Sequence, residues 1–337
     1  ITLLFLIITG GRTIFFFKIT SIFELLFFII KNIRGNLLKD YYTKVYMNKE
    51  KIIQAGKIAK EVKAHIRPLV KKGMPLLEIA EKIESKIKEL GGNIAFPTNL
   101  SINTIAAHYT PTHDDTSIAH GLIKIDMGVH VDGYIADTAF SLDLENNEEN
   151  KKIIQAAEHG LKEGIKTAVE NVAINKIGKA IQTAIESHGF SSIVNLSGHS
   201  IERYQVHAGM TIPNMDDGRA IPLKEGSYAI EPFATNGGGK IYDGAPSNIY
   251  VLMDEKNLRS PIARELLKYI QTEYGTFPFC SRWLVKKFGI KALFGLKQLE
   301  ENRNLHHFSQ LVESSNGIVA QAEHTIIVEK DKTIVTT

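Results

Sequence analysis

The stretch with the strongest fold signal is residues 124–140, which read KIDMGVHVDGYIADTAF. Apolar and polar residues alternate on both sides of Asp132-Gly133, a dipeptide that favours a two-residue turn between antiparallel strands. The alternation extends outward to residues 122 and 144. We therefore predict a β-hairpin over residues 122–144, in which Val131 faces Tyr134 across the turn.

This hairpin register places two carboxylates on one face of the sheet. Asp126 pairs with Ala139 and Gly128 pairs with Asp137, so the two aspartates are diagonal neighbours within reach of a common cation. Because their cross-strand partners are small, we expect open space above this face. Two carboxylates so close repel each other unless a cation or a shared proton intervenes. Two solvated aspartates on an exposed sheet would have the same pattern, so the hairpin alone leaves both interpretations open.

Composition places the chain among ordinary globular proteins. It has 337 residues, of which 44% are hydrophobic and 23% charged, enough for one large domain or two medium ones. The net charge of +3 gives no indication of a nucleic-acid-binding protein. The single cysteine, Cys280, cannot form an internal disulfide, and nothing near it indicates a nucleophile or a thiolate metal site. It fits a reducing compartment.

Residues 1–46 differ from the rest of the chain. They are rich in Phe, Ile and Leu and precede the first methionine, Met47. The apolar run over residues 14–30 carries Lys18 and Glu24, whereas a membrane-spanning helix needs about 20 apolar residues with few charges. A cleavage site of the signal-peptide type is not evident. We expect this extension to be upstream sequence translated in error, and a membrane anchor is the alternative.

The remaining pattern predicts an α/β body interrupted by a mainly helical insert. Amphipathic helices are predicted from Met47 and over residues 76–87, 149–169 and 174–188. The sequence turns helical and charged from Pro261 to about residue 311. It returns to strand over residues 318–337, with a turn near Asp331.

Two histidines and two further carboxylates occur in apolar or glycine-flanked segments. His199 and His207 lie in one stretch, Glu231 ends an apolar run, and Glu323 lies in the last β segment. An acidic residue in an apolar strand is costly unless it is paired or bound to metal, and each could equally form a buried salt bridge. Together with the hairpin aspartates, these carboxylates and one histidine form an oxygen-rich set with one nitrogen. Such a set suits a pair of divalent ions such as Mn, Fe, Co or Zn.

Five motifs together resemble the second type of methionine aminopeptidase, in its short archaeal form. They occur in the family order and with family-like spacing, and the resemblance covers residues 47–337. The motifs are AFPTNLSINTIAAHYTP (95–111), KIDMGVHVDGYIADTAF (124–140), LSGHSIERYQVHAGMTIPN (196–214), YAIEPFAT (228–235) and QAEHTIIV (321–328).

The resemblance implies a pita-bread fold over residues 47–337. In this fold, two related α/β halves form a curved antiparallel sheet with outer helices. A helical, winged-helix-like insert at about residues 250–312 would separate the second type of enzyme from the first. The extension at residues 1–46 lies outside the resemblance.

The resemblance also implies a metal ligand set. Asp137 and Glu323 resemble the carboxylates that bridge two divalent ions, which would be Co, Mn, Fe or Zn. Asp126 resembles a ligand of one ion only. His199 and Glu231 resemble ligands of the other ion, and Glu231 also resembles the catalytic proton acceptor.

Four residues resemble substrate contacts of the family. His108 and His207 look like the two histidines that touch substrate without binding metal, and both are implied to be catalytic. Phe96 and Val206 resemble parts of the pocket for the methionine side chain. Ser197 departs from the pattern, because eukaryotic members often carry Asn at this position of the pocket.

The activity implied is hydrolytic removal of the initiator methionine when the second residue is small and uncharged. The substrates would be the N-termini of nascent chains, which implies a cytoplasmic enzyme near the ribosome, without direct nucleic-acid binding. We expect a monomer.

Three rival interpretations remain. A proline-specific aminopeptidase or prolidase shares the implied fold and ligands but usually carries an additional N-terminal domain. A non-catalytic pita-bread protein that binds ribosomes or RNA would have lost metal ligands, and all five are present here. The third interpretation, a structural membrane protein, is supported by residues 1–46 alone.

Overall fold

The computed structural model describes residues 3–9, 13–19 and 48–337. The chain divides into a unit over Ile1–Met47 and a unit over Asn48–Thr337. In the first, strands β1 (Leu3–Thr9) and β2 (Thr13–Ile19) pair as an antiparallel hairpin. The rest of the predicted extension lies outside the described residues, so its origin stays a prediction. Within the described residues, no helix has the length and apolar character needed to cross a membrane.

The first half of the larger unit is a three-stranded antiparallel sheet under two helices. The side chain of Asn48 caps the first helix by accepting the N–H of Lys51. Isoleucines of both helices pack on the apolar face of the sheet, as their spacing predicts. The elements are α1 (Lys49–Ile66), α2 (Leu76–Glu89), β3 (Asn93–Ile102), β4 (Ile105–Ala107), β5 (Leu122–Val131) and β6 (Tyr134–Asp143), in the sheet order β3-β5-β6.

The hairpin formed by β5 and β6 has the predicted register. Val131 faces Tyr134, and the two turn residues between them, Asp132 and Gly133, have φ of 50° and 85°. Positive φ at both positions is what a type I′ turn requires. The expected open space above this face lies beside Asp126 and Asp137, which line a cavity. Over Gly128 itself the space is occupied, because a Cβ atom there would lie 2.3 Å from the ring of Phe96.

The second half repeats the arrangement with two helices over antiparallel sheets. Both helices begin and end within two residues of the predicted bounds. The elements are α3 (Glu148–Thr167), α4 (Ile174–Glu186), β7 (Ser191–Ser192), β8 (Ser197–Ile201), β9 (Thr211–Pro213), β10 (Gly226–Ile230), β11 (Phe233–Thr235), β15 (Val319–Gln321), β16 (His324–Glu329) and β17 (Lys332–Val335), in the orders β17-β16-β10-β8-β9 and β15-β11-β7.

The region predicted as an insert contains three helices between two long strands. The prediction that the helical stretch reaches residue 311 was wrong, because residues 305–313 form a strand. That strand pairs with two others that are distant in sequence, and this pairing overrides the local pattern. The elements are β12 (Ile241–Leu252), α5 (Pro261–Glu273), β13 (Phe279–Cys280), α6 (Ser281–Phe288), α7 (Lys291–Glu301) and β14 (Leu305–Glu313), in the sheet order β13-β12-β14-β4.

Side-chain hydroxyls join the two halves along β6. Thr138 donates to the carbonyl oxygen of Glu323 at 2.8 Å, and Ser141 donates to that of Gln321 at 2.7 Å. These bonds fix the end of β15 and the start of β16 beside the hairpin. The architecture is therefore mixed α/β with antiparallel sheets and outer helices, and the hairpin carboxylates face the junction of the halves.

Candidate metal centre

One cavity of about 340 Å³ collects every site residue predicted from the sequence. It opens where the hairpin of the first half meets the strand ends of the second. Its lining includes Phe96, His108, Asp126, Asp137, His199, Val206, His207, Glu231 and Glu323.

Strands and strand ends hold the polar groups of this cavity. Asp126 and Asp137 lie on β5 and β6, and His199 lies on β8 opposite Ala229 of β10. Glu231 follows the last residue of β10, and Glu323 lies between β15 and β16. Residues distant in sequence therefore meet because antiparallel pairing brings these strand ends together.

The tightest group consists of Asp137, His199 and Glu323. One ligand atom from each lies within 4.8 Å of the other two, and all three residues are buried. His199 Nε2 is 3.7 Å from Asp137 Oδ2 and 3.5 Å from Glu231 Oε1. Asp126 lies outside this three-residue group and lines the same cavity from the neighbouring strand.

Burial makes ionisation of the carboxylates unfavourable unless a cation is present. Burial raises the pKa of Asp126 above its ordinary value. Burial, followed by the negative charge of Asp137, raises the pKa of Glu231 and of Glu323 well above their usual ranges. Burial lowers the pKa of His199 to about 3, so its imidazole is neutral at physiological pH and can donate a lone pair to a metal.

These residues fit a divalent metal ion. Asp126 Oδ1, Asp137 Oδ1 and Glu323 Oε2 are buried and have no hydrogen-bond partner. Among the described residues that line the cavity there is no lysine or arginine to neutralise four carboxylates. Buried charges of this kind require pairing or metal coordination. Carboxylate oxygens with one imidazole nitrogen suit Mn, Fe, Co or Zn.

Comparison with known proteins decides the family. Residues 50–330 match metallopeptidase family M24. The methionine aminopeptidase of Pyrococcus abyssi is 47% identical over 299 residues, which span 86% of this chain and all of that protein. This chain belongs to metallopeptidase family M24.

Solved structures share the fold at lower identity. A thermophilic Arx1 superposes with a TM-score of 0.74 and 18% identity, covering 85% of this chain and 90% of that one. The methionine aminopeptidase of Thermotoga maritima superposes with a TM-score of 0.61 and 20% identity, covering 86% and 95%. The pita-bread fold expected of an M24 member is therefore confirmed.

Two further histidines of this M24 chain, His207 and His108, line the same cavity. The ring of His207 contacts that of His199 edge-to-face, with centroids 4.4 Å apart. His108 packs edge-to-face against Phe308 at 5.5 Å. Its backbone has φ of 64°, a conformation that is uncommon outside glycine and frequent at functional sites. Burial lowers the pKa of His108 to about 4, so its ring is also neutral.

Several lining residues of the M24 cavity were not predicted from the sequence. Phe308 and Leu311 come from β14, whose local pattern was interpreted as helix. Asn99 lies within a motif quoted above, but nothing in that motif distinguishes it from its neighbours. Cys280 is buried, and burial raises the pKa of its thiol to about 12, in agreement with the absence of a predicted nucleophilic role.

Proposed function

We propose that this chain removes the initiator methionine from newly synthesised proteins by hydrolysis with two divalent metal ions. The observation that carries the proposal is the set of buried, unpartnered carboxylate oxygens beside a neutral histidine in one cavity. The 47% identity to the methionine aminopeptidase of Pyrococcus abyssi supports methionine as the residue released.

The ligands of the two ions would overlap. Asp137 and Glu323 would be shared by the two ions, since both belong to the tightest group and come from different halves of the fold. His199 and Glu231 would complete the ligand set of one ion, in line with the 3.5 Å between His199 Nε2 and Glu231 Oε1. Asp126, on the adjacent strand β5, would complete the ligand set of the other ion.

Divalent ions bound there would supply hydroxide at neutral pH and polarise the scissile carbonyl. Glu231 would accept the proton of the attacking water and deliver it to the leaving amine as the C–N bond breaks.

The two histidines would act on the substrate. His207 would donate a hydrogen bond to the developing oxyanion, which stabilises the transition state relative to the substrate. His108 would orient the scissile amide, since its backbone conformation and its contact with Phe308 fix its ring. Both side chains line the cavity and lie outside the tight metal-binding group.

The apolar part of the cavity would hold the methionine side chain. Phe96 and Val206 are buried within one cluster that also contains Ile135 and Ala229. A pocket lined by aromatic and aliphatic groups recognises a thioether by shape and dispersion. Binding of the free substrate amine near the ion held by Asp126 would explain removal of a single residue, and we expect a preference for a small, uncharged second residue.

The domain assignment and the setting of the reaction are part of the proposal. The catalytic unit would span residues 47–337, with the insert at 250–312. The substrates would be N-terminal methionine peptides of nascent chains, which implies a cytoplasmic monomer close to the ribosome.

The discriminating experiment compares three peptides with the metal-loaded protein. Methionine should be released from Met-Ala-Ser, much more slowly from Met-Leu-Ser, and Ala-Pro-Ser should resist cleavage. Glu231→Gln keeps the shape of the side chain and removes the proton acceptor, so kcat should fall by about 100-fold or more. Faster cleavage of Ala-Pro-Ser than of Met-Ala-Ser would instead identify a proline-specific peptidase.

A further inference from the structure

Asn99 presents an unsatisfied hydrogen-bond acceptor among the residues that line the cavity. Its side chain is 5% exposed, and its Oδ1 atom is buried without a hydrogen-bond partner. Its Nδ2 atom donates to the carbonyl oxygen of Pro97 at 2.9 Å. That bond fixes the orientation of the amide, because a flipped amide would place two oxygens against each other. The atom without a hydrogen-bond partner is therefore the amide oxygen of Asn99 and not its nitrogen.

A β-bulge directs Asn99 towards the cavity. Phe96 pairs with Gly128 and Asn99 pairs with Asp126, so β3 contributes one more residue than β5 over this interval. Regular alternation would place residues 96 and 99 on opposite faces, yet both line the cavity. Pro97, which has no N–H for the ladder, lies within the bulge. The local backbone thus departs from regular pairing in a way that brings Asn99 beside Asp126.

We propose that Asn99 Oδ1 accepts a hydrogen bond from the free α-amine of the substrate. The inference rests on the proposed function and assigns the group that recognises the N-terminus. A carboxamide oxygen is only an acceptor, so its partner must be a donor, and the α-amine is the donor that distinguishes a chain end from an internal peptide. Its position opposite Asp126 would hold the amine beside the carboxylates. Leaving a buried acceptor unpaired is costly, and the bound amine would remove that cost.

The test separates amine recognition from general damage by measuring ligand affinity. L-methionine and its desamino analogue, 4-(methylthio)butanoate, differ only in the α-amine, and both are titrated into the full-length, metal-loaded chain. Asn99→Ala should weaken L-methionine binding by about tenfold or more and leave the analogue unchanged. In turnover of Met-Ala-Ser, the loss should appear mainly in KM. Bound metal, measured by elemental analysis, should match that of the unsubstituted protein.

A matched control lies one residue away. Thr98 is buried in the same strand and its Oγ1 also has no partner, but it does not line the cavity. Thr98→Val should change neither affinity. If Asn99→Ala does not fold, Asn99→Ser should give the same selective loss, because its hydroxyl ends short of the Oδ1 position.

Two results would overturn the inference. Equal weakening of both ligands would show that Asn99 shapes the pocket without recognising the amine. Loss of metal from the variant would show that it supports the metal centre. Failure of the proposed function is distinguished separately, since the unsubstituted protein would then release no methionine from Met-Ala-Ser.

Discussion

The hydroxyl of Thr325 bonds both backbone groups of Asp137. Thr325 Oγ1 accepts the N–H of Asp137 at 2.7 Å and donates to its carbonyl oxygen at 2.9 Å. All these groups are buried, and the two residues come from different halves of the fold. One hydroxyl on β16 therefore fixes the backbone of Asp137. Because β16 directly follows Glu323, this contact also fixes the two proposed bridging carboxylates relative to each other.

Thr325→Val should destabilise the protein and weaken its metal binding together. Valine has nearly the shape of threonine but leaves the N–H and C=O of Asp137 unsatisfied in the interior. Each of the two losses typically costs about 1–3 kcal/mol, so the free energy of unfolding should fall by about 2–6 kcal/mol in urea titrations. Thr98→Val is the control, because the Thr98 hydroxyl has no partner to lose. Equal destabilisation by the two substitutions would contradict the assignment.

His199 and His207 should differ in what their loss removes. His199→Ala deletes the only nitrogen of the proposed ligand set, so metal affinity and activity should fall together. His207→Ala should retain metal and lower kcat/KM by about 100-fold or more, and excess metal should not restore it. Bound metal is measured by elemental analysis and kcat/KM by steady-state kinetics for both variants. If His207→Ala loses metal and His199→Ala retains it, His207 is the metal ligand and His199 the substrate contact.

Glu84 should anchor the helical region to the first half of the fold. Its carboxylate accepts two bonds of 2.8 Å from the guanidinium of Arg282 and one of 2.8 Å from Trp283 Nε1. Glu84→Ala strands a buried cation and should cost about 3–5 kcal/mol in unfolding free energy. Glu81→Ala breaks only an exposed pair with Lys286 and should cost less than about 1 kcal/mol. Similar losses for both variants would show that the buried pair contributes little.

A chain that begins at Met47 should keep full activity. Every residue of the proposed site follows that position, and the family match covers residues 50–330. The measurement is kcat/KM for Met-Ala-Ser, with circular dichroism as the check on folding. A large loss of activity in a folded protein would assign residues 1–46 a role in catalysis.

Local sequence was sufficient to predict the hairpin and the carboxylates on it. Alternation around Asp132-Gly133 specifies the register, and the register fixes which side chains share a face. Acidic residues that end apolar segments, Glu231 and Glu323, were recognisable because burial of an unpaired carboxylate is costly. That these residues meet in one cavity depended on the family resemblance, since sequence distance carries no such information.

Features that depend on long-range pairing were not predictable from local patterns. Residues 305–313 form a strand because β12 and β4 pair with it. The ring of Phe96 fills the space above Gly128, which the small residue alone had suggested to be open. Asn99 reaches the cavity only because of the bulge, whereas regular alternation from Phe96 would have directed Thr98 there.

The central claim is a two-ion centre built by these five residues, and locating the ions tests it most directly. Crystals of the manganese-loaded protein, measured at the manganese absorption edge, should give two anomalous peaks. Both should lie within ligand distance of Asp137 and Glu323, one also contacting His199 and Glu231 and the other Asp126. Calorimetry should give a tight first ion with four protein ligands and a weaker second with three. A single peak at saturation, or two peaks of which neither contacts His199, would contradict the account.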